Sequence, residues 1–507
     1  MSFQERMRRT LERAPQEQAI EFGGVWWRWG DVRATALSVT EALDDADVAP
    51  NATVAWIARN RPHHLAALFG LLAAGRSVVV VSPFQSADRI AEQIDRLRAP
   101  AVVADAEDWE ATQIADAVRR TEGLGLALGG GPGGAAAVLA RGDRRGAAGD
   151  GRAASEQTLT LLTSGTTGPS KRIALPVRAV EAAAEDCDLL EAEGHDPGAP
   201  RAPFISGYPL TNIGGIYYAM PTGLLGRRMA LLEKFAVEPW VEAVERHRPG
   251  LLWLPPAAIR MLLEAGVPRS ALAGARALRY GAAPLDDDTR ERFEETYGIP
   301  VLSQYGATEF AGTVVAWTLA DHRRFGAAKR GSIGRARPGI GLRVVDSDTG
   351  TELPCGVCGR LEVMVPRVGP GWMSTNDLAA IDDDGFVFLQ GRADDAINRG
   401  GFKVLPEDVA DVLRRHPAVA DAAVVGLPDA RLGQVPAAAV ELRPSATPPD
   451  IGALQAFARE RLIAYQVPVR IIVVPALPRT PSLKVDRPAV RRLFAPAKRA
   501  AAPSRSD

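Results

Sequence analysis

A large layered α/β domain followed by a small α+β domain is the architecture that the sequence predicts, and three observations carry the prediction. The chain has 507 residues, and at roughly 100 to 200 residues per domain that length asks for more than one folding unit. Up to Gly391, short β-rich runs alternate with helical stretches, the rhythm of sheets covered by helices. After Gly391 the elements shorten and follow one another as in a compact α+β unit. The expected division is therefore residues 1–391 and 392–507.

Taken in order, Thr53 to Ile57 reads as a strand, Leu65 to Ala74 as a helix, Val78 to Val81 as a strand and Ser86 to Leu97 as a helix. Residues 123–157 are crowded with Gly, Ala, Arg and Asp and show neither period, which predicts a mobile surface loop. Thr158 to Thr163 is a β-propensity run that breaks into a polar glycine loop, and Ile173 to Leu175 is strand-like again. In the small domain, Pro406 opens a helix to His416, Val419 to Val425 and Ala437 to Leu442 are strands, Ile451 to Leu462 is a helix and Ile471 to Val474 a strand. The tail from Ala495 has no apolar pattern and is expected to fray.

Composition removes several function classes. At 46% hydrophobic and 24% charged the chain is not of disordered type. Its 60 basic and 61 acidic residues leave a net charge of −1, so no positive field exists to hold a nucleic acid. The apolar stretch Leu65 to Gly75 stops at Arg76, about half of the roughly 20 residues a membrane helix needs. The N-terminus is charged throughout and lacks the apolar core of a signal peptide, which predicts a cytoplasmic protein. The three cysteines, 187, 355 and 358, fit a reducing compartment. Cys355-Gly-Val-Cys358 has the spacing of a metal or redox pair, but no second pair or spaced histidines follow. It reads as a turn feeding the strand Leu361 to Val365.

The glycine loop carries the first chemical signal. In Ser164-Gly-Thr-Thr-Gly-Pro-Ser-Lys171, Gly165 and Gly168 let backbone amides turn inward and Ser164, Thr166 and Thr167 add hydroxyl donors. Lys171 supplies positive charge for phosphate oxygens, so the loop suits a triphosphate. Its spacing is not that of the P-loop NTPases. Alone, the loop would read as a Ser/Thr/Gly surface turn.

Five further stretches follow it in order: Gly281-Ala-Ala-Pro-Leu285, Gln304-Tyr-Gly-Ala-Thr-Glu309, Ser374-Thr-Asn-Asp377, Gly391-Arg-Ala-Asp394 and Pro481-Ser-Leu-Lys484. With Thr163 to Lys171, and with Gly426-Leu-Pro-Asp429 and Gly433-Gln-Val-Pro436 in the second domain, the chain resembles the adenylate-forming superfamily of acyl- and aryl-CoA synthetases, stand-alone adenylation domains and luciferases. Only six of the 60 basic residues are lysines, and Lys171 and Lys484 are two of them. Arginine's planar fork is a poor substitute where a compact ammonium must follow a moving oxygen.

The resemblance implies an ATP- and Mg2+-dependent reaction: an acid oxygen attacks the α-phosphate, pyrophosphate leaves, and a thiol then displaces AMP. Such chemistry rests on positioning and charge neutralisation. Glu309 is placed like the family's magnesium-holding carboxylate, and Thr308 beside it would contact phosphate or acid. Thr163, Ser164, Gly165, Thr166, Thr167, Gly168 and Lys171 would hold the phosphates; Gly281, Ala282, Ala283, Tyr305, Gly306 and Ala307 would border the adenine. Asp377 corresponds to the aspartate on the ribose hydroxyls and Arg392 to the arginine that reaches the nucleotide from the linker. Lys484 corresponds to the lysine that bridges acid and α-phosphate during adenylation. Tyr208, Asn212, Gly214, Tyr280 and Ser303 are the implied walls of the acid pocket. Asp394 marks the hinge about which the small domain would swing, and Gly400, Gly401 and Lys403 would then approach the pantetheine of CoA.

Several positions depart from the family pattern. Arg172 follows Lys171 where glycine is usual, Pro169-Ser170 stands where many relatives have proline just before the lysine, Leu483 precedes Lys484 where glycine is usual, and Asn376 precedes the ribose aspartate where glycine is usual. Thr211-Asn212 replaces the residue that often gates the acyl pocket, and the aspartate that holds an α-amino group is missing. The expected substrate is thus an organic acid other than an amino acid, aromatic or medium-sized. No carrier domain follows within the chain, so the acceptor is expected to be CoA or a separate carrier protein; a homodimer is allowed. The alternatives are transfer to a non-thiol acceptor and, in another class, a catalytically silent nucleotide-binding protein. Joint retention of Lys171, Glu309, Asp377, Arg392 and Lys484 argues against the last.

Overall fold

The computed structural model describes residues 1–141, 156–163, 171–195, 198, 200–393, 395–400, 402–443 and 449–495. The chain divides into two compact units. The first comprises Met1–Arg343, Glu362–Met373 and Asp382–Phe388; the second comprises Val344–Leu361, Ser374–Ile381 and Leu389–Asp507.

Apolar runs too uniform to alternate form the heart of the first unit. Thr53–Ile57, Ser77–Val81, Ala101–Asp105 and Leu124–Leu128 pair in parallel, as expected of strands covered on both faces. They belong to a seven-stranded sheet in the order Ala137–Arg141, Leu124–Leu128, Ala101–Asp105, Thr53–Ile57, Ser77–Val81, Thr158–Thr163, Lys171–Pro176, with both outermost pairings antiparallel. A second sheet orders Leu251–Leu254, Ala277–Tyr280, Val301–Ala307, Gly312–Ala316 and Arg335–Ala336. A third joins Phe204–Ser206, Met229–Leu231, Gln18–Phe22 and Val25–Arg28. Helices Trp29–Asp44, Pro62–Ala73 and Ile213–Leu225 bury Trp29, Phe69 and Met220 in a core that also takes in Trp56.

The second unit has a sheet in the order Phe402–Val404, Ile397–Arg399, Gly433–Leu442, Val419–Asp429, with Arg470–Val474 pairing onto Gly433–Leu442. Helices Pro406–Arg414 and Ile451–Arg459 cover one core, and Arg487–Leu493 contributes Val490 to another. A further four-stranded sheet orders Gly341–Val345, Gly359–Met364, Trp372–Ile381 and Val387–Arg392, and the division between the units falls within its strands.

The α/β class and the smaller second unit agree with the expectation, and most elements match within a few residues. The expected loop at 123–157 is corrected in part: Leu124–Leu128 and Ala137–Arg141 are paired strands, and residues 142–155 lie outside the described residues. Their signal is muted because Leu124–Leu128 is buried along its whole length and so does not alternate. At its second residue the Trp109 ring comes so close that a Cβ on Gly125 would lie 2.5 Å from it. The expected helix at Leu65 starts earlier, at Pro62, where proline fits the first turn and the buried His63 and His64 had hidden the apolar run. Among the described residues no helix is long and apolar enough to cross a membrane. Cys355 and Cys358 are exposed, free and in a turn before Gly359–Met364, as expected. The tail from residue 496 lies outside the described residues.

Candidate active site

In the first unit the matched stretches sit at the carboxyl ends of neighbouring parallel strands, the edge at which open α/β sheets hold ligands. Tyr280 and Ser303 are cross-strand partners there. Burial pushes the Tyr280 phenol up to about 12, with Arg290 and Ser303 opposing it. Gly281 follows, and a Cβ at this position would come within 2.9 Å of Gln304 Cγ. Ala282 has φ +73°, a left-handed conformation that non-glycine residues seldom take.

Val301–Ala307 carries Tyr305, Gly306 and Ala307 into a short turn, Thr308–Phe310, that presents Glu309 exposed. The chain reverses through Ala311, at φ +58°, into Gly312–Ala316, and Ala307 pairs with Gly312. Backbone meets backbone so closely that a Cβ on Gly306 would lie 2.1 Å from the Gly312 carbonyl. Arg367 donates to the carbonyls of Phe310 at 3.2 Å and Thr313 at 2.8 Å, clamping the turn on its far side. The strand Lys171–Pro176 packs beside this turn, and Lys171 itself is the exposed cross-strand partner of Thr163.

The expected acid-pocket residues gather on the same unit. Tyr208 is buried with its ring 4.9 Å from that of Tyr218, whose ring also packs on Phe204 at 5.0 Å and Trp253 at 4.9 Å. Burial raises the pKa of Tyr208 and Tyr218, so both phenols stay neutral at ordinary pH. Asn212 is the N-cap of Ile213–Leu225, and Gly214 in the first turn leaves room beside Tyr208, whose Cδ1 would be 3.6 Å from an added Cβ.

In the second unit, Asp377 lies on Trp372–Ile381 and Arg392 at the end of Val387–Arg392. Arg392 Nη1 is 3.7 Å from Asp377 Oδ1, and the Ala393 amide donates to the Asn376 carbonyl at 2.7 Å. Lys484 sits in a tight reversal closed by the Thr480 amide on the Lys484 carbonyl and the Leu483 amide on the Thr480 carbonyl, each 2.8 Å. It keeps an exposed surface, yet desolvation of its ammonium, and then Arg392, hold its pKa below the ordinary lysine value. Gly400 is exposed with φ +58°, and Lys403 is the backbone partner of Asn398. Ser164, Gly165, Thr166, Thr167, Gly168, Asp394 and Gly401, with the side chains of Thr163 and Lys403, lie outside the described residues.

The model of the AMP-binding enzyme family matches residues 7–373, and that of the AMP-binding enzyme C-terminal domain matches residues 408–484. The chain belongs to this family of AMP-binding enzymes. It is 31% identical over 352 residues to the fatty acid–[acyl-carrier-protein] ligase ScoC of Streptomyces coeruleorubidus, a match that covers 66% of this chain and 67% of that one. It is 30% identical over 360 residues to a probable CoA ligase of Humulus lupulus, covering 66% of this chain and 63% of that one. These matches thus span about two thirds of the curated relatives' length. Among solved structures, amide bond synthetase McbA from Marinactinospora thermotolerans superposes with a TM-score of 0.78 at 27% identity, over 97% of this chain and 100% of that one.

For an AMP-binding enzyme that needs magnesium, Glu309 is a fitting ligand: an exposed hard-oxygen donor, as suits an ion held by one or two carboxylates and the substrate's phosphates. The one described His/Cys/Asp/Glu cluster with metal-ligand spacing is elsewhere, at His63, His64 and Asp105, and there Arg61 already occupies the same carboxylate oxygen at 2.8 Å.

Three contributors were missed at the sequence level. Gln304 donates from Nε2 to the Tyr218 hydroxyl at 2.6 Å, and a place inside a quoted motif was its only signal. Asn60 donates to the Tyr208 carbonyl at 2.9 Å and accepts from the Leu210 amide at 2.8 Å, fixing the backbone around Tyr208 from 148 residues away in sequence. Arg367 had no signal, since its role is to close carbonyls that sequence does not place.

Proposed function

We propose that the protein activates a carboxylic acid with ATP, forming an acyl-adenylate and releasing pyrophosphate, and passes the acyl group to a thiol, CoA first among them. The observation that carries this reading is the Glu309 turn. It is fixed on one side by the close approach of Gly306 to Gly312 and on the other by Arg367, beside the strand that begins at Lys171.

In this reading the residues act by placement. Glu309 would hold magnesium, which neutralises phosphate charge when bound. Thr308 and Lys171 bind oxygens of the triphosphate, Asp377 orients the ribose and Arg392 reaches the nucleotide. Lys484 meets the negative charge that develops as the acid oxygen attacks the α-phosphate, an interaction stronger in the transition state than in the ground state. Residues 1–391 and 392–507 act as the two domains, with Asp394 as the hinge that exposes Gly400, Gly401 and Lys403 to the acceptor.

The aromatic wall of Tyr208, Tyr218, Phe204 and Trp253 supports an aromatic or medium-sized acid. A second acceptor reading has support in the names of relatives: one is a ligase to acyl-carrier protein and another an amide bond synthetase, so a carrier thiol or an amine is the alternative to CoA. The test is pyrophosphate release with ATP and Mg2+ across aryl, short-chain and long-chain acids, with and without CoA, and product mass. Acid-dependent release that falls about 10²- to 10³-fold in Lys484→Ala is expected. Release indifferent to Lys484 would remove the assigned role, and a thioester seen only with CoA would name the acceptor.

A further inference from the structure

We propose that Arg479 and Asp421 form a positioning clamp for Lys484, an inference that rests on the reading of Lys484 as the adenylation lysine. The turn that carries Lys484 is strained at the residue just before the lysine. Leu483 adopts φ +61°, a left-handed conformation in which a non-glycine Cβ crowds the following carbonyl oxygen. The turn is held by the two 2.8 Å backbone bonds between Thr480 and the Leu483–Lys484 pair, by the bridge of Arg479 to Val485, by the Asp486 amide on the Pro478 carbonyl at 2.8 Å and by the paired hydroxyls of Thr480 and Ser482 at 3.0 Å. A lysine on so short a reversal needs something rigid behind it if its ammonium is to meet one oxygen.

Arg479 supplies that backing. Its guanidinium forks: Nη1 donates to the Leu483 carbonyl at 3.3 Å, the oxygen of the peptide that leads into Lys484, and Nη2 pairs with Asp421 Oδ2 at 2.6 Å. Asp421 is 3% exposed, so this is no screened surface pair. Its other oxygen is occupied too, by Arg414 Nε at 2.9 Å and by the Ala422 amide at 2.8 Å. Arg414 continues to Glu407 at 2.7 Å, Glu407 to Arg487 at 3.2 Å, and Arg487 to Asp395.

Alternating charges therefore run across the second unit from the lysine turn to the residue next to Asp394. Every member is anchored on a strand, a helix or a neighbouring loop of one compact unit. Arginine suits the clamp best: its rigid planar fork holds a carboxylate and a carbonyl at once, whereas a lysine ammonium, with three donors on a flexible stem, keeps the charge but not the fixed geometry.

The test uses the full-length chain with Arg479→Ala, Asp421→Asn, Arg479→Lys and Lys484→Ala. Pyrophosphate release is followed with ATP, Mg2+ and the best acid of the panel, thioester formation with its pre-formed acyl-adenylate, and backbone amide exchange in the protein alone. Arg479→Ala and Asp421→Asn are expected to lower kcat of adenylation about 10- to 100-fold while KM for ATP stays within about threefold. Thioester formation should be spared, and Arg479→Lys should regain part of the loss. Exchange of the Thr480 and Leu483 amides should accelerate at least about tenfold with the strands Val419–Asp429 and Gly433–Leu442 unchanged. Unchanged exchange at Thr480 and Leu483, or equal losses in both half-reactions, overturns the clamp. If Lys484→Ala alone leaves adenylation intact, the assignment of Lys484 falls, and the exchange result still decides whether Arg479 holds the turn. Should Arg479→Ala fail to fold, the isosteric Asp421→Asn carries the same comparison.

Discussion

Glu191 in the first unit and Glu407 in the second are both half-buried glutamates, and their pKa values move in opposite directions. Burial pushes Glu191 up to about 7, against the opposing hydrogen bond from Trp253 at 2.8 Å and the charge of Arg227. Burial works on Glu407 in the same sense, but Arg414 and Arg487 outweigh it and hold the carboxyl below its ordinary value. The difference is one of construction. The first unit fixes its site by backbone approach, by neutral hydroxyls and amides and by a guanidinium on backbone carbonyls, as at Gly306, Gln304, Tyr218 and Arg367. The second unit is small and fixes its lysine by paired charges. A unit with less core to set a turn by packing relies on bonds that carry their own geometry.

The largest effect that would break this comparison is expected at Gly306. Gly306→Ala puts a methyl 2.1 Å from the Gly312 carbonyl, so the hairpin must open. A loss of about 3 kcal/mol in unfolding free energy is expected, together with the loss of acid-dependent pyrophosphate release. Near-native stability with full activity would show that the Glu309 turn does not depend on the close approach.

Glu191→Gln tests the other half. With a folded pKa near 7 against an ordinary 4.5, Glu191 holds more protons folded than unfolded between these values. Its contribution is therefore complete below about pH 4.5 and is lost as pH rises through 7. Glutamine has no charge to bury, so the variant is expected to match the parent at about pH 4, where the carboxyl is neutral in both states, and to exceed it by about 2 kcal/mol at pH 8. Thermal or urea unfolding at the two pH values reads the difference, and an unchanged or lowered stability at pH 8 would mean that water reaches the carboxylate.

What was legible in the sequence divides along the same line. The motif residues were legible because glycine, threonine and glutamate at fixed spacing advertise a turn and an oxygen ligand, and the structure places Thr308-Glu309 at a strand end as that pattern requires. The hairpin of Gly426-Leu-Pro-Asp429 with Gly433-Gln-Val-Pro436 was visible only as two separate matches, and the register Leu427 to Val435 joins them. The strand Leu124–Leu128 was missed because full burial erases alternation. Asn60, Arg367 and Arg479 were missed for a different reason: each serves carbonyls or carboxylates remote in sequence, and in an arginine-rich chain one more arginine carries no signal.

The smallest effect is the most discriminating for the charged unit. Leu483 stands where the resembled motif would place glycine and takes φ +61° all the same. Leu483→Gly removes a conformational cost of roughly 1–2 kcal/mol, and the added freedom of the unfolded chain returns roughly 0.5–1 kcal/mol of it. A net gain of about 0.5 kcal/mol is expected in unfolding measurements. If the Arg479 clamp sets the lysine, the looser backbone costs adenylation no more than about twofold, since the guanidinium still binds the carbonyl of residue 483. If instead adenylation drops as far in Leu483→Gly as in Arg479→Ala, the strained leucine and not the ion pair holds Lys484, and the contrast between a backbone-built and a charge-built unit fails at the residue that matters most for it.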